Sequence, residues 1–109
     1  MSAETFRVVS WDRPHAPTEE EVEARLSQEG YHAFRWHDVP GASYPNHRHS
    51  RDECIWVLKG EIVFEINEQE IHLKSGDRLY LPSMKSHSAW VPESDGVTYV
   101  VGQKDAKQN

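Results

Sequence analysis

Four side chains in this sequence have the types and spacing of a metal site. His47, His49 and Glu53 fall within seven residues, behind a Pro45-Asn46 turn and ahead of a β-rich run, and His87 follows in PSMKSHSAW. One residue separates His47 from His49, so on a strand both imidazoles project from one face. Glu53 keeps that parity if the chain stays extended or turns tightly through Ser50-Arg51-Asp52. Two neutral imidazoles and a carboxylate suit a divalent transition metal, and His87 on another strand would be a fourth donor. A single histidine is better read as a surface or hydrogen-bonded side chain. Here a His-x-His pair, a following Glu and a distant His coincide, and the coincidence favours a metal. His72 alternates away from Ile71 and Leu73, and His15, His32 and His37 lack partners at metal spacing. No Ser/His/Asp order, phosphate loop or CxxC competes.

These ligands need strands to hold them, and the chain supplies a β-rich pattern. Phe6 to Trp11 predicts a short strand that stops before Pro14 and Pro17. Thr18 to Glu29 predicts a helix, with Thr18 as N-cap, Glu21 closing a capping box and Gly30 ending it in a left-handed conformation. Val22 and Leu26 form its narrow apolar stripe. Tyr31 to His37, Cys54 to Lys59, Glu61 to Ile66, Ile71 to Lys74, Arg78 to Leu81, Ser86 to Val91 and Val97 to Val101 read as strands, with turns at Lys59-Gly60, Asn67-Glu68, Ser75 to Asp77 and Pro92 to Gly96. So many short strands predict an all-β antiparallel sandwich or barrel with one N-terminal helix. Residues 1–30 are expected to be a strand and helix packed on the barrel, 31–102 the barrel, and 103–109 a frayed polar tail.

Parity assigns the two faces. With Glu53 inward, Ile55 and Val57 are inward too, as are Ile62, Phe64 and Ile66 on the next strand, and Ala89 and Val91 beside His87. Cys54, Trp56 and Leu58, with Val63 and Trp90, make the opposite face apolar as well, and a strand apolar on both faces is buried on both. A chain of 109 residues has little material to cover that second face. A homodimer packed through it is expected; the alternative is that the helix covers it alone.

At 37% hydrophobic and 28% charged, the composition predicts one small globular domain with one modest core. A net charge of -6 without a basic stripe argues against nucleic acid as a partner. The single Cys54 excludes an intramolecular disulfide framework and fits a reducing cytoplasm. No run approaches the ~20 apolar residues of a membrane span, and none resembles a signal peptide. The expectation is a cytoplasmic protein with no membrane partner.

The residues now carry a resemblance. Gly41, His47, His49, Glu53 and Gly60 reproduce G-x5-H-x-H-x3-E-x6-G, the first motif of the cupins. Gly76, Pro82 and His87 follow the second, G-x5-P-x-G-x2-H-x3-N, with Met84 where glycine is usual and Val91 where asparagine is usual. The chain thus resembles the small single-domain, RmlC-like cupins, over about half its length. The resemblance implies a jelly-roll β-barrel with one divalent metal near one end, held by His47, His49, Glu53 and His87. Iron, manganese, nickel, zinc and copper all suit those donors. Because the neutral imidazole is the ligand, metal loss is expected in mildly acidic buffer.

Three functions compete. An enzyme would use the metal's open positions on a small molecule, as a dioxygenase with iron, or as an isomerase, lyase or hydrolase with zinc, nickel or manganese. No catalytic acid or base is pinned by spacing. A non-enzymatic module would bind or sense a small ligand through the metal. A barrel that kept four ligands without a cation would bear an uncompensated desolvation cost, which disfavours it. Tyr44, Trp36, Arg78 and Met84 are candidates for the mouth of the site, Arg51 and Asp52 are read as solvated, and Cys54 as a buried thiol.

Overall fold

In a computed structural model, which describes residues 5–105, the chain forms β1 (Arg7–Val9), α1 (Glu19–Gln28), β2 (His32–Asp38), β3 (Ser43–His47), β4 (Arg51–Lys59), β5 (Glu61–Ile66), β6 (Gln69–Lys74), β7 (Arg78–Leu81), β8 (His87–Trp90) and β9 (Val97–Asp105). One sheet runs β1-β7-β4-β9-β2 and the other β3-β8-β5-β6. Every strand pairing is antiparallel. The two sheets close on each other as a small jelly-roll barrel, and the all-β class with one helix is what the sequence predicts.

The turns follow from their residues. Asn67 and Glu68 take φ of 54° and 66°, and Gly60 takes φ of +90°. A side chain at Gly60 would run into the backbone of Gly96 and Val97, so both the left-handed angle and the close approach call for glycine. Gly76 is excluded from having a Cβ by Trp11, whose side chain lies across it.

Alternation decides what is buried. Ile55, Val57, Ile62, Phe64, Ile66, Ala89 and Val91 point inward as parity predicts, and join Leu73, Leu79, Val97 and Val101 in one apolar cluster. Cys54, Trp56 and Val100 face outward on the five-stranded sheet, where Val22 and Leu26 cover them. Both helix residues are fully buried, each burial contributing about 1.5–3 kcal/mol. The helix therefore covers this part of the outer face from within the chain, and that surface is not left for a second copy. Thr18 accepts from the Glu21 N–H at 3.1 Å and Glu21 accepts from the Thr18 N–H at 2.8 Å, the expected capping box. At the other end Arg78 clamps Glu29 at 2.8 Å and lies over the Trp56 ring, which ties the helix to β7.

Several elements differ from expectation: β3, which carries His47, was not among the expected strands, and β4 begins at Arg51 and not at Cys54. The first strand is shorter than Phe6 to Trp11, Arg7–Val9, and it joins the sheet edge beside β7. Residues 103–105 are not a tail: Gln103, Lys104 and Asp105 pair with Glu53, Asp52 and Arg51. Their polarity suggested fraying, but a strand that ends beside a polar site is polar for another reason. Residues 1–4 and 106–109 lie outside the described residues.

Candidate metal centre and cavity

The fold brings the candidate ligands together. His47 ends β3, His87 opens β8, and the two are register partners. His49 leaves the turn after β3, and Glu53 lies in β4 of the other sheet. One ring nitrogen from each of His47, His49 and His87 falls within 4.8 Å of the other two. Atoms bonded to one ion at about 2.0–2.2 Å lie no more than roughly 4.4 Å apart. That is the limit for two donors on opposite sides of an ion; three donors in tetrahedral arrangement lie roughly 3.3–3.6 Å apart. The rings therefore stand within an ångström or so of bonding spacing, and His49, its side chain 42% exposed, is the least confined of them. Glu53 stands beside the triad instead of within it, its Oε1 at 3.8 Å from His49 Nε2.

Hydrogen bonds set the imidazoles. The Pro45 carbonyl is 2.6 Å from His47 Nδ1 and the Lys85 carbonyl is 2.9 Å from His87 Nδ1. A carbonyl only accepts, so Nδ1 carries the proton in both rings and Nε2 keeps its lone pair for a ligand role. Burial lowers the pKa of His87, opposed by the Lys85 carbonyl and reinforced by His47 and His49. The shift favours the neutral ring, the form a metal ligand requires.

Glu53 tests whether a cation fits. It is 6% exposed, and among the described residues its polar side-chain partners are the Gln103 amide at 2.8 Å and, at 3.8 Å, His49. A buried carboxylate met by one neutral N–H and one distant imidazole is undercompensated, and a divalent ion beside it would offset the cost. Gln103 was missed by sequence reasoning because it lay in the supposed tail. Extending the alternation of Tyr99 and Val101 by two residues would have placed it on the inner face.

The cluster forms one end of a cavity of about 260 Å³. Ile55, Phe64, Ala89 and Val101 make its apolar walls, and Trp36, Tyr44 and Tyr99 line it further along. Of the four mouth candidates, Tyr44 and Trp36 line this cavity. Arg78 turns outward to Glu29, and Met84 lines a separate surface depression. Asp52 accepts from the Ser83 N–H at 2.8 Å, Arg51 lies at an exposed strand end near Asp105, and burial pushes the Cys54 thiol up to about 11.

Residues 34–102 match the Cupin_2 cupin-domain family, more than half of the chain, and the chain belongs to that family. A cupin protein from Bacteroides fragilis superposes with a TM-score of 0.63 at 20% identity, over 100% of this chain and 85% of that one. A putative mannose-6-phosphate isomerase from Ralstonia eutropha JMP134 gives 0.63 at 20% identity, over 72% and 77%. A chain from the crystal structures of the DMSP lyases RdDddP and RnDddQII gives 0.62 at 22% identity, over 72% and 40%. These likenesses show the fold. In sequence, the chain is 36% identical over 56 residues to an uncharacterized HTH-type transcriptional regulator, YdeC, of Bacillus subtilis (strain 168), covering 51% of this chain and 19% of the regulator. The chain thus spans about a fifth of that relative's length. No helix among the described residues is long and apolar enough to cross a membrane.

Proposed function

We propose that this cupin binds one divalent metal through His47, His49, Glu53 and His87 and acts on a small molecule held in the cavity beside it. The convergence of three ring nitrogens, two of them with Nδ1 committed to backbone carbonyls, carries this reading. Such an ion supplies Lewis acidity, or dioxygen chemistry where it is iron. The chain's own residues orient the imidazoles, hold Glu53 through Gln103, and give the cavity apolar walls. An enzyme, either an isomerase or lyase or a dioxygenase, is our first reading. The names of an isomerase and of lyases among the structural neighbours support the former pair. Binding without turnover is the second reading, favoured by the likeness to part of a transcriptional regulator. We place the protein in the cytoplasm, in keeping with its single, buried thiol.

Elemental analysis of the purified chain tests the metal directly. A stoichiometric divalent metal is expected, with His49→Ala and His87→Ala each losing most of it. Full occupancy in either variant removes that residue from the ligand set. Oxygen uptake with the iron-loaded protein then separates the dioxygenase from the isomerase or lyase.

A further inference from the structure

We propose that Tyr44 and Tyr99, both anchored on Asp38, form a second binding subsite at the far end of the cavity, and that it takes a hydroxyl group of the ligand. Asp38 ends β2 and is buried. Its carboxylate accepts from Tyr44 at 2.5 Å, from Tyr99 at 2.7 Å and from Trp36 Nε1 at 3.0 Å. A carboxylate can only accept, so both phenolic protons are committed to it. Burial and then the Asp38 contact raise the pKa of both phenols, which keeps those protons in place. Trp36 Nε1 also reaches the Tyr44 oxygen, at 3.4 Å, more distantly than it reaches Asp38; both phenolic oxygens keep acceptor capacity and have no proton to give. Tyr44 and Tyr99 line the cavity, whereas Asp38 lies behind them. Asp38 is thus a positioning residue, and the two phenols are the acceptors that a ligand would meet.

Register places the two polar ends apart. Glu53 pairs with Gln103, Ile55 with Val101, and Val57 with Tyr99. Tyr99 in turn pairs with Trp36, and Val101 with Phe34. Four residues along a strand separate the Glu53 row from the Tyr99 row, about 13 Å of backbone. The row between them contributes Ile55, Val101 and Phe34, all apolar. Tyr44 reaches the same end from the opposite sheet, where it is opposite Ala89. A ligand that satisfies the whole cavity therefore has an anionic head, an apolar middle and a hydrogen-bond donor at its tail. The cavity of about 260 Å³ is at the small end of ligand pockets, which suits a short-chain molecule. A short ω-hydroxycarboxylic acid has this make-up. The trio also bridges β2 and β3, which do not hydrogen-bond to each other. Bridging uses the phenolic protons and leaves acceptor capacity on two residues that line the cavity, which a donor from the ligand takes up.

The anionic end rests on the metal reading of the previous subsection; the hydroxyl end does not. Calorimetry on the zinc-loaded chain compares ω-hydroxyhexanoate with heptanoate, its methyl isostere. The hydroxy acid is expected to bind about tenfold tighter, the fold-change of one net hydrogen bond. Tyr44→Phe and Tyr99→Phe should each bring the hydroxy acid down to the affinity of heptanoate, with thermal unfolding confirming that both variants fold. Equal affinities in the unaltered protein, or a preference that survives both substitutions, overturns the subsite. Failure of both acids to bind the zinc-loaded chain overturns the metal reading instead. In that event pentanol, titrated into the chelator-treated chain, reads the hydroxyl end alone. Pentanol binding that Tyr44→Phe abolishes supports the subsite, and no binding overturns it.

Discussion

Met84 holds φ of +66°, a left-handed backbone that costs an ordinary L-residue roughly 1–2 kcal/mol. Its N–H donates to the His49 carbonyl at 2.6 Å, so this tight turn also fixes the backbone of a candidate ligand. The second cupin motif has glycine here, and the angle explains why. Met84→Gly should relieve the strain while adding freedom to the unfolded chain, for a net gain of up to about 1 kcal/mol. Urea unfolding measures it, and a loss of stability would show that the exposed methionine contributes something its backbone does not reveal. Val91, at the other departure, is buried in the apolar cluster and exchanges backbone hydrogen bonds with Gly41 and Ala42, contacts that need no asparagine side chain.

Among the elements, α1 has a purely structural part. It lies on the outer side of β4, across the strand from Glu53 and the imidazoles, and its two buried side chains seal Cys54 and Trp56. Leu26→Ala should cost about 2–5 kcal/mol through the cavity left over those residues. Metal content should not change, because the proposed ligands come from β3, the turn after it, β4 and β8. Denaturation and elemental analysis on the same sample check both halves. A Leu26→Ala protein that keeps its stability but loses its metal would reverse this division of labour.

For the molecule as a whole, the open question is what the sheet edges meet. β1 and β2 are the two edges of the five-stranded sheet, with Val8 and Val9 exposed on one and Phe34 and Trp36 on the other. Unpaired strand edges bearing apolar side chains invite a further strand. The homodimer expected from the sequence is accordingly our proposal for an edge, not for the face that α1 covers. Light scattering should report twice the chain mass of 12.6 kDa. A single-chain mass at micromolar concentration would end the proposal.

Much of this was legible in one dimension. The His-x-His pair and the Glu that follows it drew attention to His47, His49 and Glu53, and the second motif to His87. Parity on one strand is not what brings three of them together: His47 ends β3, His49 sits in the turn after it and His87 opens β8. Parity did assign Ile55, Val57, Phe64 and Ala89 correctly to the interior, and the Thr18-Glu21 capping pair is a local interaction needing no partner elsewhere. Gln103 and Asp38 were not legible, since each takes its meaning from a partner 50 or more residues away or on another strand: Gln103 from Glu53, and Asp38 from Tyr99 and Tyr44. Nor could periodicity say whether a helix or a second copy would cover Cys54 and Trp56, because both solutions bury the same apolar surface. Which face a side chain takes is a property of the strand that carries it; what it meets there is decided only when the sheets close.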